Sequence, residues 1–204
     1  MGSPTLGILD LGAANRANIA RALERCGART TFVTTPDAIE RCDALVVPGV
    51  ANVAYIAAEL DRLQLREPLV RAAERGVPLL GICAGFQLFF ERSDEAPNAR
   101  GLALFDGVVR ALSAPRLPHM GWNLVEERER APQWAYFAHG FAAPASSRCT
   151  VATTELDGEC FASIARRDGI LGAQFHPERS GAYGAAFLAS FVALAKETAC
   201  LQSA

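Results

Sequence analysis

The stretch VPLLGICAGFQLFFE, residues 77–91, sets one cysteine between two glycines, after an apolar run and ahead of a helical pattern. Val77 to Ile82 reads as a short buried strand, opened by Gly76 and Pro78. Beyond Gly85, the residues Phe86, Phe89 and Phe90 recur at helical spacing, with Gln87 and Glu91 off that stripe. Gly81-Ile82-Cys83-Ala84-Gly85 is therefore a Gly-x-nucleophile-x-Gly turn from strand to helix, whose small flanks let it tighten and hold a side chain above a sheet. A helix N-terminus behind the thiol favours its thiolate. Free cysteine is also among the most buried residue types, so this turn alone leaves open whether Cys83 is a nucleophile or a core residue. A base elsewhere in the chain decides between them.

Composition narrows the classes of function. The chain has 204 residues, enough for one sizeable core, and it reads as one domain over 1–204. Half the residues are apolar (50%), 21% are charged and the net charge is −2, a balance that suggests neither a nucleic acid nor an acidic membrane surface as partner. No apolar run approaches the roughly 18 residues of a membrane span. The start, MGSPTLGILDLG, lacks the basic region and cleavage site of a secretory signal. Cysteines at 26, 42, 83, 149, 160 and 200 form no C-x-x-C pair, which fits free thiols in a cytoplasmic protein.

The first half of the chain alternates strand and helix. Thr5 to Leu11 reads as a strand and Asn15 to Cys26 as a helix stopped by Gly27. TTFVT (30–34) and DALVVPGV (43–50) carry the next two strands, and helical patterns fill Ala51 to Arg75. From Gly101 to Phe175 the runs are short, strand-like and broken by Pro and Gly, which reads as antiparallel hairpins. A final helix carries Phe187, Phe191, Leu194 and Ala195 on one face. The fold class is α/β: an open, mostly parallel sheet with flanking helices and an appended antiparallel portion. In such sheets reactive groups collect at the carboxyl ends of the strands, where Cys83 and the turn Pro48-Gly49-Val50 both fall.

Three histidines are available as the base: 119, 139 and 176. His176 closes the apolar run of LGAQFHPERSG (171–181), and Glu178 stands two residues on. On an extended segment those two side chains share a face, and Pro177 keeps the segment from turning helical. A carboxylate beside an imidazole fixes its tautomer and stabilises the imidazolium, completing a Cys83-His176-Glu178 triad. His119 and His139 read as structural histidines. No two His or Cys stand at ligand spacing, so no metal is expected.

GICAGFQ followed by a distant QFHPERSG resembles the class I glutamine amidotransferases. PHMGWN (118–123) and DLGAANRANIARAL (10–23) make the chain most similar to the glutaminase subunits of imidazole glycerol phosphate synthases. The resemblance runs through DLGAAN, PGVAN, GICAGFQLFFERSDE, GLALFDG, PHMGWN, YFAHGF and QFHPERSG in order.

That resemblance implies hydrolysis of L-glutamine to glutamate and ammonia, with no cofactor. Cys83 would attack the side-chain carboxamide, His176 would shuttle the proton and Glu178 would orient His176. Gln87 and Glu95 would hold the glutamine head group, helped by backbone groups of Gly140 and Phe141. Amides at Val50 and Ala84, next to Gly49, would form the oxyanion hole. Ammonia would pass into a (β/α)8-barrel cyclase subunit, the heterodimer partner, and Trp122, Asn123 and Arg179 match partner-facing positions. On the residues alone, core packing is the preferred reading of Trp122. The sequence departs from the family pattern at PGVAN, where Ala51 replaces glycine, at AHGF, and at Arg179, where lysine is usual. Three other functions compete: the same chemistry serving a different acceptor enzyme, a stand-alone cysteine hydrolase, and a silent regulatory subunit.

Overall fold

The computed structural model describes residues 2–12, 15–49 and 51–202, and its first half follows the alternating pattern. Strand β1 (Thr5–Leu9) leads to helix α1 (Arg16–Arg25), then β2 (Arg29–Val33), α2 (Pro36–Ile39) and β3 (Ala44–Val47). Helices α3 (Val53–Arg62) and α4 (Arg66–Glu74) precede β4 (Leu79–Ile82) and α5 (Ala84–Gln87). Two local devices start α3: the Asn52 side chain accepts the Tyr55 N–H, and Glu95 Oε2 accepts the Val53 N–H at 2.9 Å.

The second half is mostly strand. Short β5 (Arg92–Ser93) and β6 (Val108–Ala111) come before the long hairpin of β7 (His119–Glu127) and β8 (Gln133–His139). After β9 (Phe141–Ala142) the chain runs β10 (Thr150–Leu156), β11 (Glu159–Arg167) and β12 (Ile170–Ala173). A 3-10 turn (Pro177–Arg179) and helix α6 (Gly181–Gln202) close it.

The main sheet has the order β2-β1-β3-β4-β12-β11-β10-β7-β8. Strands β2, β1, β3, β4 and β12 pair in parallel, and β12 onward the pairing is antiparallel, as the patterns predict. The return of β12 to β4 is the step that builds the site. Ala173 is in register with Ile82, so the strand leading to His176 ends beside the strand leading to Cys83.

Two apolar layers cover the sheet. On one side Leu45, Val47, Leu60, Leu69, Phe86, Phe89, Phe90 and Phe105 are fully or almost fully buried. On the other, Ile19 and Leu23 of α1 and Leu188, Phe191 and Ala195 of α6 pack against Ile8, Val46 and Leu80. Burying a side chain of that size contributes about 1.5–3 kcal/mol, which is why the two helices dock by these faces.

Four local features differ from the expectation. Pro177 does not keep its segment extended: its fixed φ suits the first position of a helical turn, and Pro177–Arg179 form a 3-10 turn that carries Glu178 back to His176. Strand β1 stops at Leu9 rather than Leu11. The helix after Cys83 lasts only to Gln87, because the carbonyls of Leu88, Phe89 and Phe90 accept N–H groups of Leu102, Phe105 and Ala103 instead of continuing the helix. Helix α6 does reach membrane-spanning length, since Gly181–Leu201 has a mean hydropathy of 1.4. Its apolar stripe is nonetheless docked on the sheet through Leu188 and Phe191.

Candidate active site

Cys83 occupies the turn between β4 and α5 with φ 54° and ψ −115°. A non-glycine residue held there costs on the order of 1–3 kcal/mol, so the surrounding structure must impose it. The flanking glycines do so by bringing backbone against backbone. A Cβ on Gly85 would sit 2.0 Å from the Val47 carbonyl oxygen, and one on Gly81 would sit 2.7 Å from Phe86 Cα. Gly49 packs in the same way, 2.3 Å from Gly85 N if it bore a Cβ. The turn after β3 and the nucleophile turn therefore touch main chain to main chain.

His176 and Glu178 are brought to this turn by β12. His176 Nδ1 lies 3.1 Å from Glu178 Oε1, and both side chains are almost wholly buried. With Nδ1–H donated to the carboxylate, Nε2 is left for the thiol. Burial by itself would lower the His176 pKa, but hydrogen bonds to Cys83 and Glu178 outweigh it and raise the pKa to about 10. Such an imidazole is a strong acceptor for the Cys83 proton. The Cys83 thiol also lies 3.9 Å from the Ala138 carbonyl and receives the Gln174 amide at 3.8 Å.

The other two histidines stay neutral. His139 is buried and its pKa falls to about 3, mainly through desolvation. Its Nδ1 bonds the Phe141 carbonyl at 2.8 Å, which assigns the ring proton to Nδ1. His119 faces His139 across the β7–β8 pair, with ring centroids 5.3 Å apart, and burial lowers its pKa too. Both are structural, in keeping with the sequence reading.

Of the remaining candidates, Gly49 and Ala84 meet Cys83 at the turn, while Val50 lies outside the described residues. Gln87 is buried, and its Nε2 donates to Phe141 O at 2.6 Å and to Gln174 Oε1 at 3.0 Å. Glu95 caps α3, next to the segment that follows Gly49. Gly140 and Phe141 join β8 to β9 beside Gln87.

Trp122 and Asn123 point to opposite faces of β7. Trp122 is 53% exposed, as are Met120 (65%) and Trp134 (57%), so the core reading of Trp122 is wrong. Asn123 turns inward and donates to Glu155 O at 2.9 Å. Arg179 stacks its guanidinium 3.9 Å from the centre of the Tyr136 ring, joining the exposed face.

Sequence reasoning overlooked two residues. Gln174 and Ser180 are both buried polar groups beside the triad, and a glutamine inside the apolar run ILGAQF was a legible signal. A cleft of about 710 Å³ between α6 and the antiparallel strands, lined by Tyr183, Phe187 and Arg166, contains none of the triad and does not mark the chemistry.

Comparison with known proteins agrees with this geometry. Residues 7–194 match the family model for glutamine amidotransferase class-I. The chain is 39% identical over 200 residues to a Deinococcus radiodurans protein named imidazole glycerol phosphate synthase subunit HisH, covering 93% of each chain. It is 38% identical over 186 residues to the protein of the same name from Thermus thermophilus, covering 89% of this chain and 93% of that one. Among solved structures, a crystal structure of glutamine amidotransferase superposes with a TM-score of 0.78 at 20% identity, covering 94% of this chain and 98% of the other. The structure of PurLQS from Thermotoga maritima gives 0.74 at 18% identity, again covering 94% and 98%. At those identities the two structures speak for the fold alone. With its strained cysteine turn, its His-Glu pair and a match spanning most of its length, the chain belongs to the class I glutamine amidotransferase family.

Proposed function

We propose that this chain is the glutaminase subunit of an imidazole glycerol phosphate synthase, acting in histidine biosynthesis as one amidotransferase domain in the cytoplasm. The observation that carries the reading is the likeness to proteins named for that subunit, 39% identity over 93% of both chains.

In the reaction, Cys83 Sγ bonds to the carboxamide carbon of glutamine while the thiol proton moves to His176 Nε2. The carbonyl electron pair shifts to oxygen, where the Ala84 N–H and, by family resemblance, the Val50 N–H receive it. His176 then returns its proton to the departing nitrogen, the C–N bond breaks and ammonia leaves a glutamyl thioester. Water, deprotonated by His176, attacks the thioester; the C–S bond breaks, and the proton goes back to sulfur as glutamate departs. Glu178 keeps Nε2 aimed at the reacting atoms through both halves. Gly49, Ala84, Gln87, Glu95, Gly140 and Phe141 surround the glutamine, with Gln87 acting through its grip on the Phe141 carbonyl.

The partner is a (β/α)8-barrel cyclase that consumes the ammonia to make imidazole glycerol phosphate and AICAR. Its docking face is Met120, Trp122, Trp134, Tyr136 and Arg179, an exposed aromatic surface with one cation, the composition of an interface hot spot. A second reading, the same chemistry serving another acceptor, draws on the departures at PGVAN and AHGF. The test is glutamate release with and without the cyclase from the same source. Stimulation by the cyclase supports the first reading. Full activity alone, unchanged on adding cyclase, points to a stand-alone hydrolase.

A further inference from the structure

The contact between Gln174 and Cys83 extends into a chain of hydrogen bonds whose polarity has only one solution. A backbone carbonyl can only accept, so the Gln87 atom 2.6 Å from Phe141 O is its amide nitrogen. That nitrogen also faces a Gln174 side-chain atom at 3.0 Å, which must then be the oxygen. The remaining Gln174 atom, 3.8 Å from Cys83 Sγ, is consequently the amide nitrogen, and it presents an N–H to sulfur. His139 Nδ1 adds a second donor to the same Phe141 carbonyl, fixing the start of the chain.

We propose that Gln174 is a positioning residue for the glutaminase reaction: its carboxamide, oriented by Phe141 O through Gln87, supplies a fixed donor to the Cys83 thiolate. The proposal rests on the reading of Cys83 as the nucleophile. The need for the donor follows from the surroundings of the sulfur. The thiol lies against the Ala138 carbonyl, 3.9 Å away, which suits S–H but repels S⁻. When the proton moves to His176, Gln174 is the neutral group placed to favour the charged sulfur. It is fully buried, so water cannot substitute for it. Its position is also set by chain geometry: it directly follows β12, whose last residue Ala173 is in register with Ile82 next to Cys83, and its own N–H is tied to Ser163 O at 2.9 Å.

Iodoacetamide alkylation of Cys83, followed by peptide mass spectrometry across a pH series, reads the thiolate fraction without requiring glutamine to bind. Gln174→Met, close in volume but lacking the amide donor, should slow Cys83 alkylation about tenfold at neutral pH and raise the pH midpoint by about one unit. Gln87→Met, which never touches sulfur, should move the midpoint in the same direction by a smaller amount, because Gln174 loses the anchor that sets its polarity. Should Gln174→Met fail to fold, the Gln87→Met profile decides. Midpoints unchanged from the parent in the folded variants overturn the proposal. Failure of Cys83 to react ahead of the other cysteines in the parent would instead overturn its assignment as nucleophile, so the two failures are distinguishable.

Discussion

The backbone N–H of His176 donates to the carbonyl of Tyr136 at 2.9 Å, so the base of the triad hangs from the strand that carries the exposed aromatic face. Ser180 doubles the link: its Oγ accepts the Tyr136 N–H at 3.0 Å and donates to His176 O at 2.7 Å. A shift of β8 on docking would therefore move the imidazole directly. Ser180→Ala leaves a part-buried N–H without its acceptor and should cost about 1–2 kcal/mol in thermal unfolding. It should also reduce the stimulation of glutamate release by the cyclase more than it reduces release by the lone chain. Equal loss in both assays would mean the serine serves stability only.

Cys83→Ala and His176→Ala should each abolish glutamine-dependent synthesis by the assembled pair and leave synthesis from added ammonium salts intact. Glu178→Gln keeps a hydrogen-bonding group against Nδ1 and should retain about ten- to a hundredfold more turnover than Cys83→Ala. Glutamate release measured with a coupled dehydrogenase compares the three. Undiminished release by Cys83→Ala would remove it from the mechanism.

Trp122→Ala and Trp134→Ala test the docking face. Both side chains are more than half exposed in the lone chain, so each substitution should change its stability by no more than about 0.5 kcal/mol. A central aromatic anchor typically contributes about 2 kcal/mol or more to binding, which is roughly thirtyfold in Kd for the cyclase. Calorimetric titration of the two subunits gives both numbers. Wild-type affinity in both variants would move the interface elsewhere.

The opposed environments of the histidines give a pH dependence whose sign follows from His139. Its folded pKa, about 3, lies below its unfolded value of 6.5, chiefly because burial disfavours the imidazolium. Above pH 6.5 both states are neutral and the group is silent. Between 6.5 and 3 the unfolded chain binds a proton that the folded one does not, so stability falls as the pH falls. His139→Asn should remove this dependence. Its stability relative to the parent should improve by about 2–3 kcal/mol between pH 6.5 and pH 4.5, as read by urea unfolding at each pH. Parallel curves for parent and variant would contradict the assignment of a neutral, buried His139.

The triad was legible because each part of it is a local pattern: small residues around one thiol, and a carboxylate two residues after a histidine. The alternation of the first half and the hairpins of the second were legible for the same reason. The mechanism expected for His176 and Glu178 failed, since Pro177 opens a 3-10 turn and that turn, not an extended segment, brings Glu178 to His176. Gln174 and Ser180 escaped notice because their meaning lies in partners far along the chain, Gln87 and Tyr136. The length of α5 escaped because its end is set by N–H groups of residues 102–105, which no helical period reveals. Trp122 reads as core from its residue type, and that reading fails because it alternates with the buried His119 and Val125 and so falls on the exposed face of β7.

Strand β7 writes two kinds of information on alternate residues. His119 and Asn123 face inward toward the structural histidine pair, and Met120 and Trp122 face outward. Each set can therefore drift by substitution without disturbing the other, which would let the proposed docking surface be refitted to a new partner while the inward face is untouched. Insertions and deletions have no such freedom. An insertion or deletion that slips β7 by one residue against β8 would turn the tryptophan into the core and the imidazole into solvent, erasing both messages in a single genetic event.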